Sequence, residues 1–180
     1  MSDPVSYLPL TQCSDADKAR LLNIFWATAT KTQFSSAQEK LAFQSKYFTD
    51  YCDFFPDSSF ALKVSEQIQG YILGCPNTQR ALEKGQLQTA LYPHEFLHHL
   101  QKYPAHLHID LDPTAQGKGL GKNLIMFWMH QMKLQRVPAF HIVTVVEHPS
   151  YVFYTRLGLA DLERLPRGVH ELVIMGQSLA

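Results

Sequence analysis

Gln116-Gly117-Lys118-Gly119-Leu120-Gly121 follows His106-Leu107-His108-Ile109-Asp110-Leu111 after a turn at Asp112-Pro113. The order is a strand-like run, a turn, three alternate glycines and then an apolar helix. Glycines at this spacing let the backbone come close to a ligand, and amides that open a helix point at an anion. The stretch therefore reads as a phosphate cradle of the strand–loop–helix type. It is not the nucleoside-triphosphate loop, because Asn123 follows Gly121-Lys122 where Ser or Thr is required. It also misses the dinucleotide fingerprint, because the third glycine arrives one residue early.

A second segment lies about 25 residues on. The β-branched run from His141 to Val146 breaks at Glu147-His148-Pro149-Ser150 and resumes as Tyr151-Val152-Phe153-Tyr154-Thr155-Arg156-Leu157-Gly158-Leu159. Pro149 suits a first helical turn and Gly158 a left-handed C-terminal cap. Together the two segments resemble the GNAT acyltransferases. Their Q/R-x-x-G-x-G/A loop holds the pyrophosphate of acetyl-coenzyme A, and their second motif ends in (L/F)-Y-x-x-x-G-(F/L). A closer likeness is to the acetyltransferase-like domain of O-GlcNAc hydrolases and its stand-alone bacterial relatives. It runs through Gly70-Tyr71-Ile72-Leu73-Gly74, Tyr103-Pro104-Ala105-His106-Leu107-His108-Ile109-Asp110, Phe153-Tyr154-Thr155-Arg156-Leu157-Gly158 and Val173-Ile174-Met175-Gly176-Gln177-Ser178-Leu179.

The resemblance implies an α/β (mixed α+β) fold: a central, mostly antiparallel mixed sheet of six to seven strands with helices on both faces. It implies a cytoplasmic acetyl-CoA-dependent N-acetyltransferase in which a primary amine attacks the thioester directly. Gln116, Gly117, Lys118, Gly119, Leu120, Gly121 and Lys122 would hold the pyrophosphate. The strand residues Ile109, Asp110 and Leu111 would pair with the pantetheine arm, with the Leu111 amide on the acetyl oxygen. Glu147, Ser150, Phe153 and Tyr154 would complete the coenzyme contacts, and Tyr154 would protonate the leaving thiolate. No metal is expected.

The base is less determined by the motif. Some relatives that modify protein amines carry a glutamate where this chain has Ile142. Asp110 is the first choice instead, with His106 and His108 as candidates on the substrate side, since alternate residues share one face of a strand. The family's usual Asn opening the second motif is Glu147 here, and its usual Ala is Ser150.

Composition sets outer limits. The 180 residues, 46% hydrophobic and 18% charged, suit one ordered domain spanning 1–180. Lys plus Arg and Asp plus Glu balance at 16 each, so no electrostatic attraction to nucleic acid is expected. Cys13, Cys52 and Cys75 are odd in number and form no CxxC, which favours reduced thiols. The first ten residues carry Asp3 and Pro4 and no apolar core, so no signal peptide is expected, and no run suits a membrane span. Expected partners are acetyl-CoA and an amine acceptor, either a small molecule or a protein amine; a homodimer stays open.

Periodicity predicts strands at 5–10, 59–64, 68–73, 105–111, 141–146, 159–165 and 170–176. It predicts helices at 15–30, 36–48, 119–134 and 149–157, and two short helices within 77–99 broken near Tyr92-Pro93.

Two other readings compete. His94-Glu95-Phe96-Leu97-His98 spells HExxH, in which two histidines on one helical face bind zinc and Glu activates water. The extended form of that motif fails at Gln101 and Pro104, and zinc chemistry leaves the glycine loop unexplained. The other is a catalytically idle acyl-CoA-binding interaction module, favoured by Ile142 and Glu147 and opposed by the intact cradle and Tyr154.

Overall fold

The computed structural model describes residues 3–88 and 92–180. The strand order is β1-β2-β3-β4-β5-β7-β6 in a seven-stranded, mostly antiparallel sheet with helices between the strands, as expected for the class. The chain packs as two compact units. The first comprises Met1–Cys75 and His108–Gln131, the second Pro76–Leu107 and Met132–Ala180.

In the first unit, β1 (Val5–Pro9) pairs antiparallel with β2 (Phe60–Val64), and β2 pairs with β3 (Gln67–Cys75). The β2–β3 hairpin turns on Ser65 and Glu66, both at positive φ. Helix α1 (Asp15–Thr28) starts at a capping box: Ser14 accepts from the Asp17 amide while Asp17 accepts from the Ser14 amide. Leu21, Ile24 and Phe25 form its buried stripe. Helix α2 (Ala37–Gln44) leads through a π-helical stretch, Ser45–Thr49, into α3 (Asp50–Phe54). The sequence expects this helix to end near Phe48; the π turn carries it a further turn and buries Tyr51 completely. The first part of α5 (Leu120–Leu134) packs here through Leu124, Ile125 and Trp128, all fully buried. The Trp128 indole N–H donates to the Ser58 carbonyl at 2.9 Å, which satisfies its one polar atom.

In the second unit, α4 (Thr78–Glu83) is capped by Asn77, and His94–His99 forms a 3-10 helix. Strand β4 (Ala105–Leu111) belongs to this unit only through Ala105–Leu107, and there it pairs in parallel with β5 (Ala139–Val145) at Ala105↔Phe140 and His106↔His141. Antiparallel pairing then joins β5 to β7 (His170–Ser178) and β7 to β6 (Ala160–Arg167). Helix α6 (Pro149–Arg156) opens with Pro149 in its first turn and ends at Gly158, φ 92°, as its sequence predicts. Phe96, Leu100, Phe140, Ile174 and Met175 form the core of this unit. No helix among the described residues is long and apolar enough to cross a membrane.

Candidate active site

The glycine loop belongs to the first unit and is shaped by short-range bonds. Asp112 accepts from the Thr114 amide at 2.9 Å and from its hydroxyl at 2.6 Å, making an Asx turn as β4 ends. These bonds, with Arg20, which pairs with the same carboxylate, hold Asp112 below the usual carboxylate range. The Gln116 side-chain amide donates to the Leu111 carbonyl at 3.1 Å, so the first residue of the motif ties the loop back to the strand. Gly117 and Gly119 take φ of 74° and 77°, and a Cβ at either would meet nothing within 4 Å. Glycine is therefore required there by backbone conformation, not by crowding. Gly121 is not among the residues at positive φ; it lies in the first turn of α5. The amides of Leu120, Gly121 and Lys122 thus head a helix whose opening N–H groups have no intrahelical acceptor. Lys118 and Lys122 are exposed beside them.

Strand β4 carries the candidate base. Asp110 accepts from the Tyr71 hydroxyl at 2.6 Å. Burial raises its carboxyl, and the bonds from Tyr71 and Thr28 only partly offset this. Asp110 in turn helps push the Tyr71 phenol well above its ordinary range, where burial is the larger cause. His108 bonds the Tyr51 hydroxyl at 3.0 Å through Nε2 and lies edge-on to Tyr47 and Tyr51. Burial, helped by the Lys46 charge, lowers its imidazole to about 4, so it is neutral at physiological pH. Ile109 and Leu111 are half-buried, and Leu111 lies so close to Gly70 that a Cβ there would fall 2.3 Å from Leu111 Cδ2.

The second unit holds the remaining residues. His106 is 3% exposed and bonds the Thr78 hydroxyl at 2.6 Å through Nδ1, which makes it a satisfied interior side chain and not an open substrate contact. Tyr154 is buried on α6, packed edge-on against Phe153 with ring centroids 5.3 Å apart. The Ser150 hydroxyl bonds Thr144 at 2.6 Å and His148 at 2.8 Å. Glu147 turns to the start of β7, accepting weakly from the Glu171 amide at 3.5 Å and lying 3.9 Å from His170.

The sequence did not single out Arg20, Thr28, Tyr51 or Tyr71, which engage Asp112, Asp110 and His108. Only contact across tens of residues reveals them, although Tyr71 stands in the quoted Gly70-Tyr71 stretch. The zinc-peptidase reading loses its basis. His94–His99 is 3-10, where residues i and i+3 eclipse, so His94 and His98 do not share the face that HExxH needs. Burial, then Asp53, pushes the Cys52 thiol up to about 12, and burial raises Cys13, which disfavours the thiolate form at both.

Known proteins share this architecture. Aligned over 98% of both chains, the structure of SsHAT superposes with TM-score 0.77 at 24% identity. The yncA protein of Salmonella typhimurium, solved with its cofactor acetyl-CoA, superposes at 0.60 with 12% identity over 100% of this chain and 95% of its own. The ribosomal-protein-S18-alanine N-acetyltransferase of Escherichia coli gives 0.59 at 14% over 98% and 95%. These likenesses establish the fold of a GNAT acetyltransferase. The model of the acetyltransferase (GNAT) family matches residues 19–159, and the chain belongs to that family.

Proposed function

We propose that this enzyme is an acetyl-CoA-dependent N-acetyltransferase, one domain over residues 1–180, that moves the acetyl group to a primary amine within a ternary complex. The observation that carries the reading is the loop before α5. Two glycines at positive φ deliver the opening amides of a 15-residue helix to an exposed turn flanked by Lys118 and Lys122. In this reading Gln116 fixes the turn and the amides of residues 117–122 grip the pyrophosphate. The backbone of Ile109, Asp110 and Leu111 pairs with the pantetheine arm, the Leu111 amide polarises the acetyl oxygen, and Glu147, Ser150, Phe153 and Tyr154 complete the coenzyme contacts.

The amine nitrogen forms its bond to the thioester carbonyl carbon, the tetrahedral centre collapses, and the C–S bond breaks. The leaving thiolate takes its proton from the Tyr154 hydroxyl; a phenol near pKa ~10 gives a proton to a thiolate of pKa ~8–9 with little penalty in contact. Asp110 removes the proton that the attacking nitrogen must lose. Its raised carboxyl lies closer to the working range of a general base than an ordinary aspartate does. The acceptor is a small-molecule amine or a protein amine, and the setting is the cytoplasm. The likeness to the acetyltransferase-like domain of O-GlcNAc hydrolases is carried with this proposal.

Calorimetry with acetyl-CoA and thiol release across an amine panel test it together. One coenzyme site per chain is expected, weakened at least about tenfold by Gly119→Val, because a β-branched residue resists φ near 77°. No heat with acetyl-CoA, or an unchanged affinity in the variant, removes the reading. A second reading, an idle acyl-CoA-binding module, is favoured by the buried Ile142 and by the contacts Glu147 makes with β7. It predicts coenzyme binding with no thiol release for any amine.

A further inference from the structure

His98 and His99 are consecutive residues at the end of the 3-10 helix, where neighbouring side chains point about 120° apart. Both imidazoles nevertheless turn to the same carboxylate oxygen on β6. His99 Nε2 lies 2.8 Å from Glu163 Oε2, and His98 Nε2 lies 3.5 Å from it. The two rings sit 4.0 Å apart between centroids, tilted 38°. The three donor atoms all fall within 4.8 Å of one another. A second ion pair, Arg167 to Glu95 at 3.5 Å, joins the same two elements.

A hydrogen bond between His99 and Glu163 would account for one of these histidines. It does not account for His98, which is mostly exposed and could turn its ring to solvent. Convergence of two imidazoles and one carboxylate is the donor set of a borderline metal ion. A tetrahedral zinc ion with bonds near 2.1 Å holds its N and O donors about 3.4 Å apart, a spacing that small side-chain shifts reach from the one seen here. Imidazole donors disfavour Mg2+ and Ca2+, which take oxygen ligands.

We propose that His98, His99 and Glu163 form a binding site for a divalent transition-metal ion of the zinc type, with solvent completing the coordination. The ion fastens the His94–His99 segment to β6 as a staple. The site lies wholly within the second unit and takes no part in acetyl transfer, so its test is independent of the coenzyme reading.

The tag-free, chelator-stripped full chain is titrated with Zn2+ by calorimetry and with Co2+ by visible absorption. Saturation at one equivalent is expected, with Co2+ d–d bands of a low-coordinate site and a rise in Tm of about 5 °C in excess Zn2+. His98→Ala, at an exposed position, and Glu163→Gln should each weaken Zn2+ binding by about 10–100-fold, while His94→Ala, on the same helix but outside the cluster, leaves it unchanged. Each variant is accepted only with a wild-type metal-free melt, and His98→Ala alone suffices if Glu163→Gln fails that criterion. The proposal is overturned by absence of saturable binding at one equivalent, by binding that survives His98→Ala, or by equal binding of Mg2+.

Discussion

A tyrosine that hands its proton to a departing thiolate needs its hydroxyl at the sulfur and its ring held by packing. Tyr154 meets the second requirement: it is buried on α6 against Phe153, and its carbonyl accepts from the Leu159 amide past the end of the helix. If Tyr154 is the general acid, Tyr154→Phe keeps the ring and removes only the hydroxyl that donates the proton. The expected result is a kcat lowered about 100-fold with the dissociation constant for acetyl-CoA nearly unchanged, read by thiol release and calorimetry. An unchanged kcat removes Tyr154 from the mechanism. The place of Tyr154 on α6 was legible from sequence because Pro149 and Gly158 bracket one short helix and its cap.

At the scale of elements, α5 shows how a helix stripe reaches into a strand. Leu124, Trp128 and Met132, four apart, are all fully buried; the first two lie in the first unit, where Trp128 packs against Gly74 of β3. A Cβ at Gly74 of β3 would lie 2.3 Å from Trp128 Nε1 and 2.5 Å from the Ser58 carbonyl. Close approach of the indole therefore demands glycine at that position. Gly74→Ala is expected to lower stability by about 1–3 kcal/mol in urea denaturation, the usual range for overpacking. A wild-type midpoint would mean that β3 and the indole part without strain. The helix through 37–54 was harder to read. Phe43, Tyr47, Phe48, Tyr51 and Phe54 fall within an arc of about 140° at ordinary α-helical spacing, so the apolar pattern gives no sign of the π turn at Ser45–Thr49.

Stability belongs to the whole molecule, and β4 holds two groups that act on it in opposite senses. Burial lowers His108 to about 4 from an ordinary 6.5, so the folded chain binds fewer protons there than the unfolded chain. Its contribution is fully present above pH ~6.5 and is lost as pH falls through the folded value near 4. Asp110 is raised, so the folded chain holds that proton more tightly and its contribution declines as pH rises. His108→Gln removes the first effect while leaving a side chain able to bond Tyr51. Urea midpoints at pH 4.5 and 7 should differ less in the variant than in the parent chain. Equal differences would show that His108 titrates normally.

By itself the sequence determined the glycine turn before α5, the proline-opened helix α6 with its glycine cap, and the succession of strands and helices. Each depends on local chemistry: glycine's tolerance of positive φ, proline in a first helical turn, and apolar periods of two or four. Only tertiary structure decided the company those residues keep. Asp110 finds Tyr71 at 39 positions' distance, His108 finds Tyr51 at 57, and Asp112 finds Arg20 at 92. It also turned Glu147 toward β7 and closed His106 into the interior with Thr78. The reason is physical. A strand's period fixes which residues share a face, whereas the groups that desolvate and bond them arrive from elsewhere in the chain through packing.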